Sequence, residues 1–500
     1  MPPLSVLMTT EGTYPYGAGG VSTWCDALIR NTPDVRYVLL PIMMNPHIER
    51  KFEPLANIRR IVPVPLWGIE EPSEFRSGTP FAELYERKRG TSEDDIAREF
   101  VPLFRRFLDC VNEAGADPAA FGRVLLEMES YFRRRDYNET MKSVPVWELF
   151  RATMEAFSGA MTRASALPGR EHQMPSLFDL TESLRWLYRF LIVLDVEPPK
   201  TSVTHSTAAA FCGIPCITAK LRYGTPMILT EHGVYLREQN LFLSRFRRLF
   251  FCKQFLLNLI TAVVRANYFF ADVVSPVCHY NTRWELAHGT PQQKIRVIYN
   301  GVDPDVFTPA PRNVSGPRHV VATARIDPLK DIETFLRVAA RVRETHGHVR
   351  FSVFGAVADR EYFERCLTLR RELHLEEAVT MGEATSDVVG AYRDADVVLL
   401  TSISEAFPYS VIEAMSCERA VVASDVGGVS EALEDCGILV KPRDDAAFAG
   451  AVSKLLDDPV LRERYAARAR RRVLDEFRLA GSVHAYLELY RELGEERAVA

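Results

Sequence analysis

The sequence predicts an α/β protein with two Rossmann-like domains that face a central cleft, and with a helical insertion in the first domain. Length is the first reason, because 500 residues are more than usually fold around one hydrophobic core. The content of 47% apolar and 25% charged residues is that of a globular protein. The second reason is that short β-branched runs alternate with amphipathic helical patterns from about residue 318 onward, which is typical of a parallel sheet. The third is that the chain opens with the same alternation.

The first half begins with a predicted strand at residues 4–8, a glycine-rich turn and a helix at 20–30. From about residue 72 to 198 the pattern changes to long, charged amphipathic stretches, which indicate a mostly helical insertion. The other strands predicted in this half are 37–40, 60–64, 227–230, 273–275 and 295–299.

The second half predicts six strands separated by helices such as 331–343 and 411–417. These strands are 319–324, 349–354, 378–381, 396–400, 420–424 and 437–440. Because ligands of open α/β sheets bind at the carboxyl ends of the strands, the residues just after each strand are the candidates for a site.

Composition excludes several classes of protein. The 61 basic and 66 acidic residues are well mixed and give a net charge of -5, so no nucleic-acid surface is expected. The nine cysteines include no Cys-x-x-Cys pair, which argues against a disulfide framework or a zinc site and favours a reducing compartment. The N-terminus lacks the basic region of a signal peptide, and the longest apolar stretch, 255–264, is too short to span a membrane. A cytoplasmic protein is expected.

The tract EGTYPYGAGGVSTW at residues 11–24 places Gly17, Gly19 and Gly20 between a strand and a helix. Such a turn lets backbone N–H groups approach an anion, with the helix dipole behind them. The tract is neither a full G-x-G-x-x-G nor a P-loop, so a tight turn that needs positive φ explains these glycines equally well.

Two cations follow the strand at 319–324. In the tract ARIDPLK, Arg325 closes the strand and Lys330 precedes the next helix. Two cations at the carboxyl end of a parallel strand suit a diphosphate, although a solvated basic pair fits the same pattern.

The tract TSISEAFPYSVIEAM at residues 401–415 begins where a strand ends and becomes helical near Pro408. Glu405 then lies in the loop and Glu413 within the helix, while the N–H groups near Tyr409 and Ser410 can bind phosphate. A carboxylate beside such a crevice is well placed for ribose hydroxyls. Two acidic residues on an ordinary loop and helix remain the alternative. The tract VGGVSE at 426–431 repeats the glycine-rich strand-to-helix turn.

Two histidines in the first half fall just after predicted strands, His205 in VTHSTAAA and His232 in ILTEHGVY. A histidine at a strand end can donate a hydrogen bond to a sugar hydroxyl or to developing charge. A satisfied polar residue is the alternative, and it is favoured for His205. His232 is the better candidate because Gly233 permits close approach of a ligand.

Taken in order, these motifs resemble the retaining family-4 glycosyltransferases of the GT-B fold, over essentially the whole chain. The resemblance implies that Gly19 and Gly20 meet the donor pyrophosphate and that Arg325 and Lys330 neutralise the diphosphate. It implies the Glu-x7-Glu motif at the two glutamates of 401–415, the first near the donor sugar and the second on the ribose. The donor-binding set expected on this basis also contains Phe407, Tyr409 and Ser410.

The tract IYNGVD at residues 298–303 resembles the family's interdomain link, so the boundary is expected near Asp303. The resemblance divides the chain into an acceptor-side domain at 1–303, a nucleotide-sugar domain at 304–476 and a helix at 477–500 that returns to the first domain. The tracts EGTYPYGAGGVSTWCDALIR and EHGVYLRE and the insertion resemble the PelF subgroup. That implies UDP-glucose as donor, a saccharide or polysaccharide acceptor, and a role in exopolysaccharide biosynthesis.

The reaction implied is hexosyl transfer with retention at the anomeric carbon. Arg325, Lys330 and the N–H groups near Ser410 would stabilise the departing UDP, so neither a metal ion nor another cofactor is expected. Glu405 is expected to position the donor sugar and His232 to contact it from the first domain, with domain closure before transfer.

Residues 241–259, LFLSRFRRLFFCKQFLLNL, mix Arg245, Arg247, Arg248 and Lys253 with large apolar side chains. One interpretation is an amphipathic surface that meets anionic lipid or a membrane synthase complex, peripheral at the inner face of the membrane. The other is a buried helix whose basic side chains reach solvent.

Other functions also fit parts of the pattern. A GT-B UDP-sugar epimerase shares the architecture and the nucleotide, and an inactive nucleotide-sugar-binding subunit of a synthase complex shares the site. A Rossmann dehydrogenase is disfavoured by the imperfect first glycine loop. The sequence leaves open the acceptor, the linkage, processivity, the oligomeric state and the role of the insertion.

Overall fold

The computed structural model describes residues 3–67, 79–113, 115–164, 174–245, 250–310, 316–383, 385 and 387–499. It separates into two compact units. The first contains Met1–Ser275, Trp284–Arg296 and Leu487–Ala500, and the second contains Pro276–Arg283 and Val297–Tyr486.

The first unit is built on a seven-stranded sheet with the order β3-β2-β1-β5-β6-β7, in which β4 also pairs with β2. Its strands are β1 (Ser5–Glu11), β2 (Arg36–Met43), β3 (Ile58–Ile61), β4 (Val64–Pro65), β5 (Val203–Ser206), β6 (Met227–Glu231) and β7 (Val273–Pro276). The central strand β1 pairs in parallel with β2 and β5, through Val6 to Tyr37 and Val203. Val6, Leu7 and Met8 are fully buried, as expected for a strand covered on both faces.

In the described part of the chain between β4 and β5, where the sequence predicts a helical insertion, there are seven α-helices. They are α2 (Phe81–Arg89), α3 (Glu93–Asp95), α4 (Val101–Asn112), α5 (Pro118–Phe132), α6 (Tyr137–Met141), α7 (Val144–Ala164) and α8 (Leu177–Phe190), after α1 (Gly20–Arg30). Phenylalanines at 100, 104 and 107 form part of the buried core of this region. Local capping sets where the helices begin, for instance Asp117 at α5 and a capping box from Ser176 and Asp179 at α8.

The rest of the first unit contains α9 (Ile214–Tyr223), α10 (Tyr235–Arg245) and α11 (Phe250–Phe270). Helix α12 (His279–Ala287) begins in the second unit and ends in the first. No helix within the described ranges is both long and apolar enough to cross a membrane.

The second unit has a six-stranded parallel sheet in the order β10-β9-β8-β11-β12-β13. The strands are β8 (His319–Thr323), β9 (Arg350–Phe354), β10 (Val379–Glu383), β11 (Val397–Leu400), β12 (Ala420–Ser424) and β13 (Ile438–Val440). Val320 of β8 pairs with both Phe351 and Val397, so β8 lies between β9 and β11. The strand order reverses at this point, which is where open α/β sheets bind ligands.

The α-helices that come after β8 in the chain are α13 (Ile332–Thr345), α14 (Arg360–Glu372), α15 (Val388–Arg393), α16 (Tyr409–Ser416), α17 (Val429–Leu433), α18 (Asp445–Asp457), α19 (Pro459–Glu476) and α20 (Leu479–Val499). Helices α13 to α17 alternate with these strands, and α18 to α20 follow β13. All six strands lie within a residue or two of their predicted positions. The α/β class with two parallel sheets is therefore confirmed.

Some boundaries differ from the predicted ones. The chain first enters the second unit at Pro276–Arg283 and passes to it finally after Arg296, ahead of the predicted Asp303. The part of α20 from Leu487 onward belongs to the first unit. The strand predicted at 295–299 is reduced to one bridge, from Ile295 to Val274. The reason is that the chain changes units within this stretch.

Candidate functional site

Arg325 and Lys330 both lie in the loop that follows β8. Asp327 shapes this loop, because its Oδ1 accepts a hydrogen bond from the Leu329 N–H at 2.9 Å. The Arg325 side chain is 60% exposed, and its Nη2 lies 3.4 Å from Asp327 Oδ2. An exposed guanidinium in a single long ion pair remains available to an anionic ligand.

The structure brings Lys330 together with Glu405 from the loop after β11. Lys330 Nζ lies 2.5 Å from Glu405 Oε1, and the Ser402 hydroxyl donates to the same oxygen at 2.6 Å. The two loops are also joined by their backbones, since the Ile403 N–H donates to the Leu329 carbonyl at 2.9 Å. Within the described residues Glu405 Oε2 accepts no hydrogen bond. One carboxylate oxygen is thus fixed and the other is left for a ligand.

The two glycines of VGGVSE, Gly427 and Gly428, pack against the backbone of the Glu405 loop. Gly427 has φ +58°, and a Cβ there would lie 1.7 Å from the Glu405 carbonyl oxygen. The Gly428 N–H donates to the Ala406 carbonyl at 2.7 Å. Only glycine combines this backbone conformation with so close an approach.

Helix α16 begins beside the same loop, with Pro408 as its N-cap. Within residues 387–499 this helix start has no side-chain cap and no acidic residue in its first turn. The Ser410 N–H in the first turn therefore suits a phosphate, and the predicted contact of Tyr409 stays a prediction. Phe407 is only 3% exposed, and its ring centroid lies 4.9 Å from that of Tyr299. Its ring belongs to a buried core cluster, and its contact with the donor stays a prediction.

Glu413 lies in α16 and receives a hydrogen bond from the Tyr392 hydroxyl at 2.9 Å to Oε2. Burial raises the pKa of Glu413 to about 7, and the hydrogen bond from Tyr392 partly opposes that rise. The Tyr392 oxygen also contacts Thr323 Oγ1 at the end of β8. Neither Tyr392 nor Thr323 belongs to a motif, so the sequence offers no signal for them.

The glycine loop of the first unit follows β1. Gly19 has φ +143°, a conformation that favours glycine, and it caps α1, whose first residue is Gly20. Among the described residues no side chain caps this helix start. The turn with positive φ is thus observed, and the pyrophosphate contact of these glycines stays a prediction.

His232 lies just after β6 with its ring 4.6 Å from that of Trp24. Both ring nitrogens are buried, and neither has a hydrogen-bond partner within the described part of the chain. Burial lowers the pKa of His232 to about 3, so the imidazole is neutral and offers one donor and one acceptor. The preceding Glu231 is held by the Tyr268 hydroxyl, which lies 2.7 Å and 2.8 Å from its two oxygens.

His205 has the structural role that the alternative interpretation predicts. Its Nδ1 lies 2.7 Å from the Tyr490 hydroxyl and its Nε2 lies 2.7 Å from Thr230 Oγ1. The side chain is fully buried. With both nitrogens satisfied, His205 connects β5 to β6 and to the last helix.

The stretch 241–259 is only partly described, because residues 246–249, with Arg247 and Arg248, lie outside the described residues, as does the Arg245 side chain. In the described part, Leu241 and Phe242 are 38% and 50% exposed, whereas Phe255 and Leu259 are fully buried. The second half of the stretch is therefore a core helix. Separately, no group of three or more potential metal ligands occurs among the described residues, and the expected independence of metal stays a prediction.

Two family models match the chain. Residues 4–293 match a family described as domain of unknown function (DUF3492), and residues 307–472 match Glycosyl transferases group 1. The second match covers the loops that contain Arg325, Lys330, Glu405 and Glu413. The predicted relationship to glycosyltransferases is confirmed at this level.

Among curated proteins, the D-inositol 3-phosphate glycosyltransferase of Kineococcus radiotolerans is 32% identical over 238 residues, which are 42% of this chain and 54% of that protein. The chain spans about half the length of the curated relatives it matches first. These matches support the family relationship and leave the substrates open.

Solved structures share the fold along nearly the whole chain. Sucrose-phosphate synthase from Thermosynechococcus elongatus has a TM-score of 0.60 at 18% identity, over 98% of this chain and 99% of that one. Anabaena HepE in complex with UDP and glucose has a TM-score of 0.59 at 14% identity, over 97% and 98%. At such low identity the likeness concerns the fold alone, and it confirms the predicted GT-B class.

Proposed function

We propose that this chain, which belongs to the family described as domain of unknown function DUF3492 and carries a glycosyl transferases group 1 domain, is a retaining hexosyltransferase of the PelF kind. Its proposed donor is a UDP-sugar, with UDP-glucose favoured. Its proposed acceptor is a hydroxyl of a saccharide or polysaccharide that is being assembled for export.

The observation that carries the proposal is the ion pair between Lys330 and Glu405, 2.5 Å apart at the carboxyl edge of the second sheet. An ammonium has three donors, so Lys330 can keep Glu405 and still bind a phosphate oxygen. Arg325 lies in the same loop as Lys330. Two cations and a helix start at one sheet edge match the charge of a leaving nucleoside diphosphate.

The same residues suggest how the donor is divided among them. The Ser410 N–H at the start of α16 would bind the phosphate, and Glu413 would accept hydrogen bonds from the ribose. Glu405 would use Oε2 to hold a hydroxyl of the donor sugar, since Oε1 is occupied by Lys330 and Ser402. The chemistry then needs charge stabilisation at the leaving phosphate, which these groups supply without a metal ion.

Retention follows in this scheme if the acceptor attacks from the side of the leaving group. The bond from the anomeric carbon to the phosphate oxygen breaks, the bond to the acceptor oxygen forms, and the phosphate takes the acceptor's proton. His232 is proposed as a neutral hydrogen-bonding partner of the sugar, on the evidence that both its nitrogens are buried without a protein partner among the described residues.

HepE is described in complex with UDP-glucose, which supports UDP-glucose as the first donor to test. All nine cysteines are free thiols, which fits a reducing compartment, so the chain is proposed to act in the cytoplasm, with peripheral association to a membrane synthase complex. Leu241 and Phe242 are exposed side chains on which such an association can be tested by substitution.

The test is calorimetric titration with UDP-glucose, UDP-N-acetylhexosamines, ADP-glucose and GDP-mannose in the presence of EDTA. Micromolar binding of one UDP-sugar is expected, lost in Lys330→Ala and Glu413→Ala and kept in Lys454→Ala, an exposed lysine of α18. If no nucleotide sugar binds, or if the site variants bind as tightly as Lys454→Ala, the proposal is wrong. Conversion of one UDP-sugar to another without an acceptor would favour the epimerase instead.

A further inference from the structure

A hydrogen-bonded chain of three side chains connects the centre of the second sheet to Glu413. Thr323 ends β8, Tyr392 lies in α15 and Glu413 lies in α16. The Tyr392 side chain is fully buried, its hydroxyl is 2.9 Å from Glu413 Oε2, and Thr323 Oγ1 contacts the same phenol oxygen. Side chains from three separate elements thus form one row that ends at the Glu413 carboxylate.

The direction of this chain follows from counting hydrogens. A phenol has one hydrogen, and a carboxylate can only accept. Tyr392 therefore donates to Glu413, and Thr323 donates to Tyr392. Hydrogen bonds in such a row polarise one another, which strengthens the last donor.

We infer that Tyr392 is a positioning residue for the donor site: oriented by Thr323, it fixes Oε2 of Glu413 and leaves Oε1 for the ribose hydroxyls of the nucleotide. Within the described residues Oε1 accepts no hydrogen bond. This inference rests on the proposed function, and it adds a residue outside the Glu-x7-Glu motif.

The surroundings of Glu413 make Tyr392 more than a packing residue. The titratable groups that face Glu413 among the described residues are Tyr392 from α15 and Cys417 at the end of α16. Burial raises the pKa of Cys417 to about 11 and holds the pKa of Tyr392 well above its usual value, so both groups are neutral at physiological pH. Burial favours the neutral acid form of Glu413, and the hydrogen bond from its described neighbour Tyr392 favours the ionised carboxylate. Its loss should shift Glu413 toward the neutral acid.

The experiment compares UDP affinity by calorimetry between pH 6 and 8 for wild type, Tyr392→Phe and Thr323→Val. Tyr392→Phe should weaken binding at pH 7 about tenfold and move the pH midpoint of binding upward, because a hydrogen bond to a charged group is lost. Thr323→Val should also weaken binding and raise the pH midpoint, but by a smaller amount than Tyr392→Phe. The matched control is Tyr362→Phe, which removes another buried hydroxyl of the second unit, one that accepts from the Glu333 N–H at 3.3 Å.

A second comparison isolates the route through Glu413. In a Glu413→Gln background, Tyr392→Phe should cost little further affinity, because the carboxylate it orients is gone. Equal costs in both backgrounds, or wild-type affinity and pH midpoint in Tyr392→Phe, would overturn the inference while leaving the proposed function intact. A wild-type chain that binds no UDP would overturn the proposed function and this inference with it.

Discussion

Gly427→Ala tests whether the glycine-rich turn after β12 holds the Glu405 loop in its working position. The new Cβ would lie 1.7 Å from the Glu405 carbonyl oxygen, whereas real contacts essentially never fall below 3.0 Å. One of the two segments must therefore move by about 1.3 Å. The φ of +58° adds the strain of a left-handed backbone, about 1–2 kcal/mol for a residue with a Cβ.

A displacement of that size would disrupt the contacts of Glu405 with Lys330 at 2.5 Å and with Ser402 at 2.6 Å. Misplacement of a positioned group by about 1 Å can cost about 100-fold in rate. We therefore expect Gly427→Ala to lower kcat about 100-fold and to lower the free energy of unfolding by about 1–2 kcal/mol.

The assay is UDP release from UDP-glucose, with urea unfolding followed by circular dichroism on the same samples. Gly450→Ala is the matched control, since it lies within α18 and a Cβ there meets nothing within 4 Å. It should leave kcat unchanged and add up to about 1 kcal/mol of stability through helix propensity. A Gly427→Ala protein with kcat within about twofold of wild type would refute the reasoning.

Three further predictions concern charge. Burial raises the pKa of Glu413 to about 7, so the carboxylate that binds the ribose becomes protonated as pH falls. The affinity for UDP, measured by calorimetry, should therefore drop about tenfold from pH 8 to pH 6. The Glu413→Gln variant should show no such drop. Burial lowers the pKa of His205 to about 3 in the folded state, below the value of 6.5 in the unfolded state. The free energy of unfolding should therefore fall as pH drops below 6.5. Urea unfolding should show a smaller difference in that free energy between pH 7 and pH 5.5 for His205→Asn than for wild type. Arg325→Ala removes a 60% exposed cation and should weaken UDP binding without changing the melting temperature. If the variant and wild type bind UDP equally tightly at low salt, Arg325 does not have the proposed role.

Much of the fold was predictable because buried parallel strands are continuous apolar runs. The run at β12, Ala420–Ser424, is buried at every position, and so are its neighbours on β11. The stretch near Ile295 was harder, since its β-branched residues match a strand but the chain changes units at Arg296. Such a change depends on tertiary contacts that local pattern does not encode.

The site divides in the same way. Lys330 and Glu405 could be predicted as neighbours because each follows a central strand, and parallel strands end at one edge. The direction in which the Phe407 ring points could not be predicted, because the rings it packs against, Tyr299 and Phe477, are distant in sequence. Tyr392 was missed for a similar reason, since its contacts with Thr323 and Glu413 arise only when three elements pack together.

The most direct test of the central claim is ¹H NMR of UDP-glucose incubated with the protein in EDTA, with water as the acceptor. The account predicts slow release of UDP and of glucose that appears first as the α anomer, and loss of both in Glu405→Gln while Lys454→Ala stays active. First appearance of β-glucose would contradict retention, and unchanged turnover in Glu405→Gln would contradict the proposed site.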